Sequence, residues 1–434
     1  MQTNVETLSQ LERRITMAVP ADDINKQVEQ RLKQLMRTVR MAGFRPGKVP
    51  LKIVEQQYGN QVRSEVLGDA VQKEFNDVVT AQNLRIAGTP KIEPKPSEGD
   101  GKIAFSATFE VYPELTLGDV TGATIQRPVL DVADADIDKT LDILRKQRTT
   151  YHEVQRAAQN GDRVTVDFTG RLDGTEFAGG KGEGITIVLG EGRMLPDFEK
   201  GLTGMQPAQT STFDVSFPAD YAGKDVAGKT ASFETVMKKV EEPRLPEIDG
   251  EFAKSLGVDD GDTAKMREEI RANVQREVKK RIENETKQRV MQALIDTTPV
   301  ELPKSLVESE LQRMVQSTRA DLEARGMKLE QLPIDPAMFE TQAKRRVTLG
   351  LILGELVRAH ELGPKPEQIR ALVDDYAQTY EQPAEVVRWI YSEPQRLAEF
   401  EGMAIETNVV GWVLDKAKVE DKTIAFDELM GRAA

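Results

Sequence analysis

At 434 residues, with 72 acidic side chains against 59 Lys and Arg and a net charge of −13, the chain has room for about three domains and too little basicity for a generic nucleic-acid-binding face. It contains no Cys, which excludes disulfides and thiol catalysis and fits a reducing cytoplasm. It has only His152 and His360, so no metal site or cofactor is expected, and a mean hydropathy of −0.47 without any apolar run of about 18 residues predicts a soluble chain that makes no membrane contact.

The first elements predict an α+β domain over residues 1–112. Leu11, Arg13, Ile15, Met17 and Val19 alternate as in a half-buried strand. Ala21, Asp22 and Asp23 then open a helix, the acids suiting its N-terminal dipole, and Val28, Leu32, Leu35 and Val39 recur along one face. After it comes the loop Gly43-Phe44-Arg45-Pro46-Gly47-Lys48-Val49-Pro50, which sets an aromatic ring and two cations between residues that restrict or free the backbone. Residues 31–52 hold seven basic side chains and no acid, a localised cation patch on an otherwise acidic chain that points to a polyanionic partner. More helix is expected over residues 53–58 and again over 62–81, then strands near 84–92 and 102–112.

Residues 113–149 form a connector. Its acidic run, residues 131–138, has neither the Gly nor the Glu that a calcium loop needs at the sixth and twelfth positions. It is read as the acidic start of a helix carrying Ile137, Leu141 and Leu144. Residues 150–245 change character. Short alternating segments near 164–168, 185–189, 212–217 and 231–240, parted by Asn160-Gly161 and Asp173-Gly174, predict a mainly antiparallel sheet around one short helix near 195–202. Glycines 179, 180, 182, 184, 190 and 192 do not make a phosphate loop, because Lys181 is followed by Gly182 rather than Ser or Thr; they are read as turns.

Residues 246–434 are expected to be helical throughout. Asp262 or Thr263 caps a helix in which Met266, Ile270, Val274, Val278 and Ile282 recur every four positions, a narrow apolar stripe suited to an arm. Further helices follow over 304–325, 336–361, 367–380, 384–391 and 394–416, with the apolar run 349–357 at the core. Met314, Val315, Met327, Met338, Phe339 and Met403 serve either as ordinary packing or as adaptable contacts for unfolded segments.

The middle segment concentrates aromatics: Phe168, Phe177, Phe198, Phe213, Phe217, Tyr221 and Phe233. Composition alone makes them the core of a small β domain as readily as a pocket. Their order and company decide. Asp162-Arg163-Val164-Thr165-Val166-Asp167-Phe168-Thr169-Gly170, Val188-Leu189-Gly190, Met194-Leu195-Pro196-Asp197-Phe198-Glu199-Lys200-Gly201-Leu202 and Phe217-Pro218-Ala219-Asp220-Tyr221 resemble an FKBP-type peptidyl-prolyl isomerase domain. That resemblance implies a catalytic pocket of Phe168, Phe177, Met194, Leu195, Phe198, Tyr221 and Phe233, with Ile185 and Phe217 beside it and the Leu195 N–H as donor to a substrate carbonyl. Phe198 stands where the family carries a pocket-floor Trp.

With that domain in the middle, Gly43-Phe44-Arg45-x-Gly47-x-x-Pro50 upstream, and Leu302-Pro303 with Leu306-Val307-Glu308-Ser309-Glu310 downstream, the whole chain resembles the bacterial trigger factor family. The resemblance implies a cytoplasmic, ribosome-associated chaperone. Gly43, Phe44, Arg45, Pro46, Gly47 and Lys48 would dock on the protein and RNA of the large ribosomal subunit beside the nascent-chain exit. The remaining partners are unfolded or nascent polypeptides, and a homodimer away from the ribosome is left open. The competing reading is a free prolyl isomerase whose flanking regions only mediate assembly.

Overall fold

The computed structural model describes residues 4–42, 44, 48–96, 101–221, 223–327 and 334–431. The chain forms two compact units, each built from separated stretches: residues 1–127 with 284–422, and residues 128–283 with 423–434. The architecture is mixed α/β, with antiparallel sheets and a helical C-terminal region. No helix among the described residues is long and apolar enough to cross a membrane.

The first unit opens with β1 (Asn4–Thr7), β2 (Glu12–Pro20), α1 (Ala21–Thr38), α2 (Leu51–Ala81), β3 (Ile86–Lys95) and β4 (Lys102–Val111). The strands form an antiparallel sheet in the order β1-β2-β4-β3. Alternation in β2 does what the pattern predicted: Ile15, Met17 and Val19 are buried and lie opposite Ala107, Phe105 and Ile103. The two helices predicted over 53–81 are one continuous helix. Gly59 in its interior costs about 1 kcal/mol relative to Ala. That is outweighed by a single buried stripe running through Val54, Val62, Val66, Phe75 and Val78, with Phe75 meeting Phe109 edge-on at 5.3 Å.

After β5 (Thr124–Val129) the second unit holds α3 (Asp134–Gln147), β6 (Thr150–Glu153), β7 (Arg163–Leu172), β8 (Thr175–Val188), α4 (Pro196–Leu202), β9 (Thr210–Ser216), β10 (Thr230–Arg244) and α5 (Gly250–Ser255). The acidic run behaves as a helix start. Asp136 accepts from the Ala133 N–H at 3.0 Å, while Asp134 and Asp138 pair with Arg271 and Arg267. Strands β6, β10, β7 and β8 lie side by side in that order, and β9 pairs with β10. Arg163 on β7 makes a two-pronged contact with Glu241 on β10 at 2.9 and 2.8 Å.

The long helix α6 (Thr263–Thr297) passes from the second unit into the first. Asp262 caps it as expected, accepting from the Ala264 N–H at 2.8 Å. Then come α7 (Lys304–Ala324), a 3-10 turn (Pro336–Phe339), α8 (Glu340–His360), α9 (Pro366–Ala377), α10 (Pro383–Tyr391), α11 (Pro394–Lys416), β11 (Lys418–Thr423) and α12 (Phe426–Leu429). Of the run 349–357, Ile352 and Leu356 reach full burial, against Val290 and Leu294 of α6 and Val409 and Val413 of α11. His360 stacks on Trp412 at 4.4 Å. One departure from an all-helical ending is β11, which pairs with β5; Arg127 grips Asp421 across that ribbon at 2.7 and 3.0 Å.

Helix α7 starts without a capping side chain of its own. Glu110 of β4 takes that place, accepting from the N–H groups of Lys304 at 2.9 Å and Ser305 at 2.7 Å, and the Ser305 hydroxyl donates to the Ala87 carbonyl at 2.8 Å. Gly88, at φ +81°, is what lets Ser305 come so close: a Cβ there would sit 2.5 Å from the serine Cβ.

Candidate functional site

Every aromatic that the sequence placed in the pocket joins one connected cluster in the second unit. Phe233, on β10, is its centre. Its ring lies 5.3 Å from Phe198, 5.8 Å from Phe168, 6.1 Å from Phe177 and 6.4 Å from Phe217. Phe168 also meets Phe198 at 5.3 Å, and Tyr221 meets Phe217 at 4.9 Å. Most of these pairs are edge-to-face, the arrangement that sets a ring's positive edge on its neighbour's negative face, each contributing about 0.5–1.5 kcal/mol beyond burial. The floor is closed and the rim is open: Phe198, Phe217 and Phe233 are buried, Met194 and Leu195 half-buried, whereas Ile185 is 38% and Tyr221 41% exposed.

Three strands, one short helix and the loop after β9 position this cluster, with Phe177 on β8 and Phe217 and Tyr221 just after β9. Phe168 comes from β7, Phe233 from the facing stretch of β10, and Phe198 from α4. Several glycines read from sequence as turns lie inside strands instead, and their missing side chains seat the rings. A Cβ on Gly182 would meet Phe168 and Ile185 at 2.8 Å, and one on Gly180 would meet Phe177 at 3.0 Å. Gly170 and Gly201, which the sequence reading did not single out, do the same for Phe233 at 2.7 Å and Phe213 at 2.4 Å. Phe213 in turn packs on Phe198 at 5.6 Å, which makes it a support for the floor.

Register shifts between β7 and β8 mark bulges on either side of Gly182. Asp167 pins one of them, accepting from the Gly184 N–H at 2.6 Å and from Lys238 at 2.6 Å. The Lys238 ammonium, together with that N–H, holds the Asp167 carboxyl below its ordinary range. On the other side of the pocket the loop 190–195 is tied to α4. Glu199 accepts from the N–H of Gly190 at 2.9 Å and of Met194 at 3.3 Å, and Asp197 accepts from the Ser216 N–H at 3.1 Å. The Leu195 carbonyl accepts from Phe198 and Glu199, while the Leu195 N–H donates to no group among the described residues.

Such a site offers an apolar seat with a backbone donor at its edge. It can hold a ring and strip water from an amide.

Of the predicted loop, Phe44 and Lys48 are described, while Gly43, Arg45, Pro46 and Gly47 lie outside the described residues. Phe44 is 37% exposed, its N–H donating to the Met41 carbonyl at 3.2 Å. Of the six cations among the described residues, two are engaged, Arg31 with Glu65 at 2.8 Å and Lys33 with Glu29 at 2.6 Å. Arg37, Arg40, Lys48 and Lys52 have no acidic partner among the described residues.

A cavity of about 870 Å³ lies within the first unit, but its arginines are already committed. Arg85 lies over Tyr112, Arg358 holds Glu355, and Arg13 donates to the carbonyls of Ser9, Gln10 and Glu12. The helical region divides the six apolar candidates. Met314 and Val315 are buried, Phe339 half-buried, and Met327, Met338 and Met403 exposed.

Residues 1–144 match the family described as bacterial trigger factor protein, residues 262–415 the C-terminus of that protein, and residues 154–239 FKBP-type peptidyl-prolyl cis-trans isomerase. The Trigger factor of Nitrosospira multiformis is 56% identical over 435 residues and that of Aromatoleum aromaticum 54% over 434, with 100% of each chain covered in both cases. A solved structure of the trigger factor chaperone aligns with a TM-score of 0.48 at 16% identity, covering 95% of this chain and 99% of that one.

Proposed function

This chain belongs to the bacterial trigger factor family, chaperones with an FKBP-type peptidyl-prolyl isomerase domain, and on that premise we propose that it works in the cytoplasm on the large ribosomal subunit, holding nascent chains as they emerge and isomerising their X-Pro bonds. In this reading residues 1–112 anchor, residues 150–245 isomerise, residues 246–434 hold unfolded segments, and residues 113–149 connect them. The observation that carries the anchoring is Phe44, an aromatic left 37% exposed and close in sequence to Arg37, Arg40, Lys48 and Lys52. Rings and unpaired cations together suit a surface of ribosomal protein and RNA, the cations meeting phosphates with an affinity that falls as salt rises. Arg45 is the anchor's second principal contact.

In the pocket, Phe168, Phe177, Met194, Leu195, Phe198, Tyr221 and Phe233 grip the proline ring, with Ile185 and Phe217 completing the wall. Rotation about the X-Pro bond is resisted because the amide loses its resonance on twisting, at a cost of about 18–20 kcal/mol for an ordinary peptide bond. A dry, ring-lined seat favours the twisted amide, whose nitrogen is less conjugated and whose dipole is smaller. The Leu195 N–H then holds a substrate carbonyl in place while the bond turns. Each tenfold acceleration requires about 1.4 kcal/mol of such preference for the twisted state.

Salt-dependent co-sedimentation with ribosomes tests the anchoring. Replacing Phe44, Arg45 and Pro46 by Ala is expected to abolish association and leave isomerase turnover near the parent's. Phe198→Ala is expected to do the reverse. Failure of the intact protein to bind ribosomes at low salt would favour the free isomerase instead, and equal loss of both activities from either change would overturn the division of labour.

A further inference from the structure

We propose that Glu199 is a positioning residue for isomerisation: its carboxylate fixes the loop that presents the Leu195 N–H to substrate. The inference rests on the pocket reading above. Loop 190–195 is weakly determined by its own sequence, because Gly190 and Gly192 both take left-handed backbone angles, at φ +90° and +68°. Residues 191–193 are exposed and bury nothing that would hold them. Glu199 ties the loop at both ends, accepting from the Gly190 N–H at 2.9 Å with one carboxylate oxygen and from the Met194 N–H at 3.3 Å with the other.

The same residue acts from the opposite side. Its own backbone N–H donates to the Leu195 carbonyl at 3.1 Å, alongside that of Phe198 at 2.9 Å. The peptide group before Met194 is therefore held by the Glu199 side chain, and the peptide group after Leu195 by the Glu199 main chain. Between them lies the single peptide that carries the Leu195 N–H. That donor is immobilised from both directions without being used up. A donor placed before the substrate arrives costs no ordering when the amide twists. The side chain suits the task because a carboxylate has two acceptor oxygens and no donor. Gln would keep one acceptor and turn an NH₂ group toward the other N–H; Ala would keep neither.

The test uses the full-length protein and a proline-containing reporter peptide, with kcat and KM determined separately. Glu199→Gln is expected to lower kcat by about tenfold, as for one lost transition-state contact, with KM within about twofold. Glu199→Ala should lower kcat further, and Glu191→Gln in the same exposed loop should match the parent. Amide exchange in the unsubstituted protein supplies an arm that does not depend on any variant folding. Gly190 and Met194 should be protected, and free exchange at both would overturn the proposal. So would parent-like kcat in a folded Glu199→Gln, or a loss of kcat that merely tracks a loss of thermal stability. Phe198→Ala separates the two levels. If that variant keeps full activity the pocket assignment itself fails, whereas an inactive Phe198→Ala beside an unimpaired Glu199→Gln brings down only the role of Glu199.

Discussion

Between residues 168 and 233, aromatic side chains close over one another in a cluster with a buried floor; between residues 376 and 391, four aromatics stay on the surface, Tyr376 and Tyr380 against each other and Trp389 and Tyr391 beneath cations. In the isomerase domain Phe233 touches four other rings, and glycines are spent so that those rings can sit where they do. In helices α9 and α10 and the link between them, Tyr376, Tyr380, Trp389 and Tyr391 all stay exposed. Arg396 lies over Trp389 at 3.9 Å, Arg370 over Tyr391 at 5.9 Å, and only a small core of Val373, Ile390 and Phe400 lies beneath. The same residue class thus yields two surfaces. One has a fixed shape, suited to a single small ring in many sequence contexts. The other leaves its rings on the surface, where the proposed holding of unfolded segments would use them.

The sharpest way to break this contrast is Phe233→Ala. Removing the central ring is expected to cost about 3–5 kcal/mol in chemical denaturation of the isomerase domain and to abolish turnover. A cost below about 1 kcal/mol, the usual effect of a surface change, would mean that the cluster is as loose as the helical surface. Next in size is a pair of glycine substitutions. Gly170→Ala should cost about 1–3 kcal/mol by overpacking, because its Cβ would lie 2.7 Å from Phe233. Gly350→Ala in α8 meets nothing within 4 Å and should instead stabilise by about 1 kcal/mol through helix propensity. Trp389→Ala should change stability by no more than about 1 kcal/mol, the size of an exposed cation–π contact. Its larger effect should be weaker retention of an unfolded reporter chain.

The smallest expected effect is one of pH. Lys238 and the Gly184 N–H hold the Asp167 carboxyl below its ordinary value, so its contribution is present above the unfolded-state pKa near about 4. That contribution is lost as pH falls through the lower folded value. Asp167→Asn should therefore flatten the acid side of the stability profile of the isomerase domain and leave the helical region's profile unchanged. Denaturation at pH 7 and pH 3 measures it.

Much of this was legible before any coordinate. The ring positions follow from the order Phe168, Phe177, Phe198, Phe217, Tyr221, Phe233 within recognisable strand and helix stretches, and all six meet in space. Gly190 and Gly192 do lie in a turn and a bend, whereas Gly180 and Gly182 lie in a strand, and for a physical reason the sequence does not tell the two apart. A glycine in a strand looks the same in sequence whether it turns the chain or makes room for a ring carried elsewhere, and only the neighbour decides. Gly180 and Gly182 depend on Phe177 and Phe168. Helix α2 was cut in two because Tyr58-Gly59-Asn60 carries turn chemistry, while the stripe that overrides it becomes visible only against the sheet. Strand β11 carried no local signal, since its partner lies nearly three hundred positions upstream. The tasks of Glu199 and Asp167 were hidden likewise: their acceptors serve backbone N–H groups, which sequence does not mark.

The assembly of the two units from separated stretches has a consequence for how this protein is itself made. The core of the first sheet draws on residues 15–111 and the aromatic core on residues 158–240, so each can close as soon as its own stretch has been synthesised. Two other cores cannot. Ile137, Phe252 and Met266 wait for Phe426 and Leu429, and Val120 and Val290 wait for Val409 and Val413. Closing those long loops late is entropically slow, and until then their apolar faces stand open to water. Glu110 likewise has to wait 195 positions for Ser305 before its carboxylate finds the helix it caps. During its own synthesis, then, this chain exposes for longest the faces that only its last residues can cover.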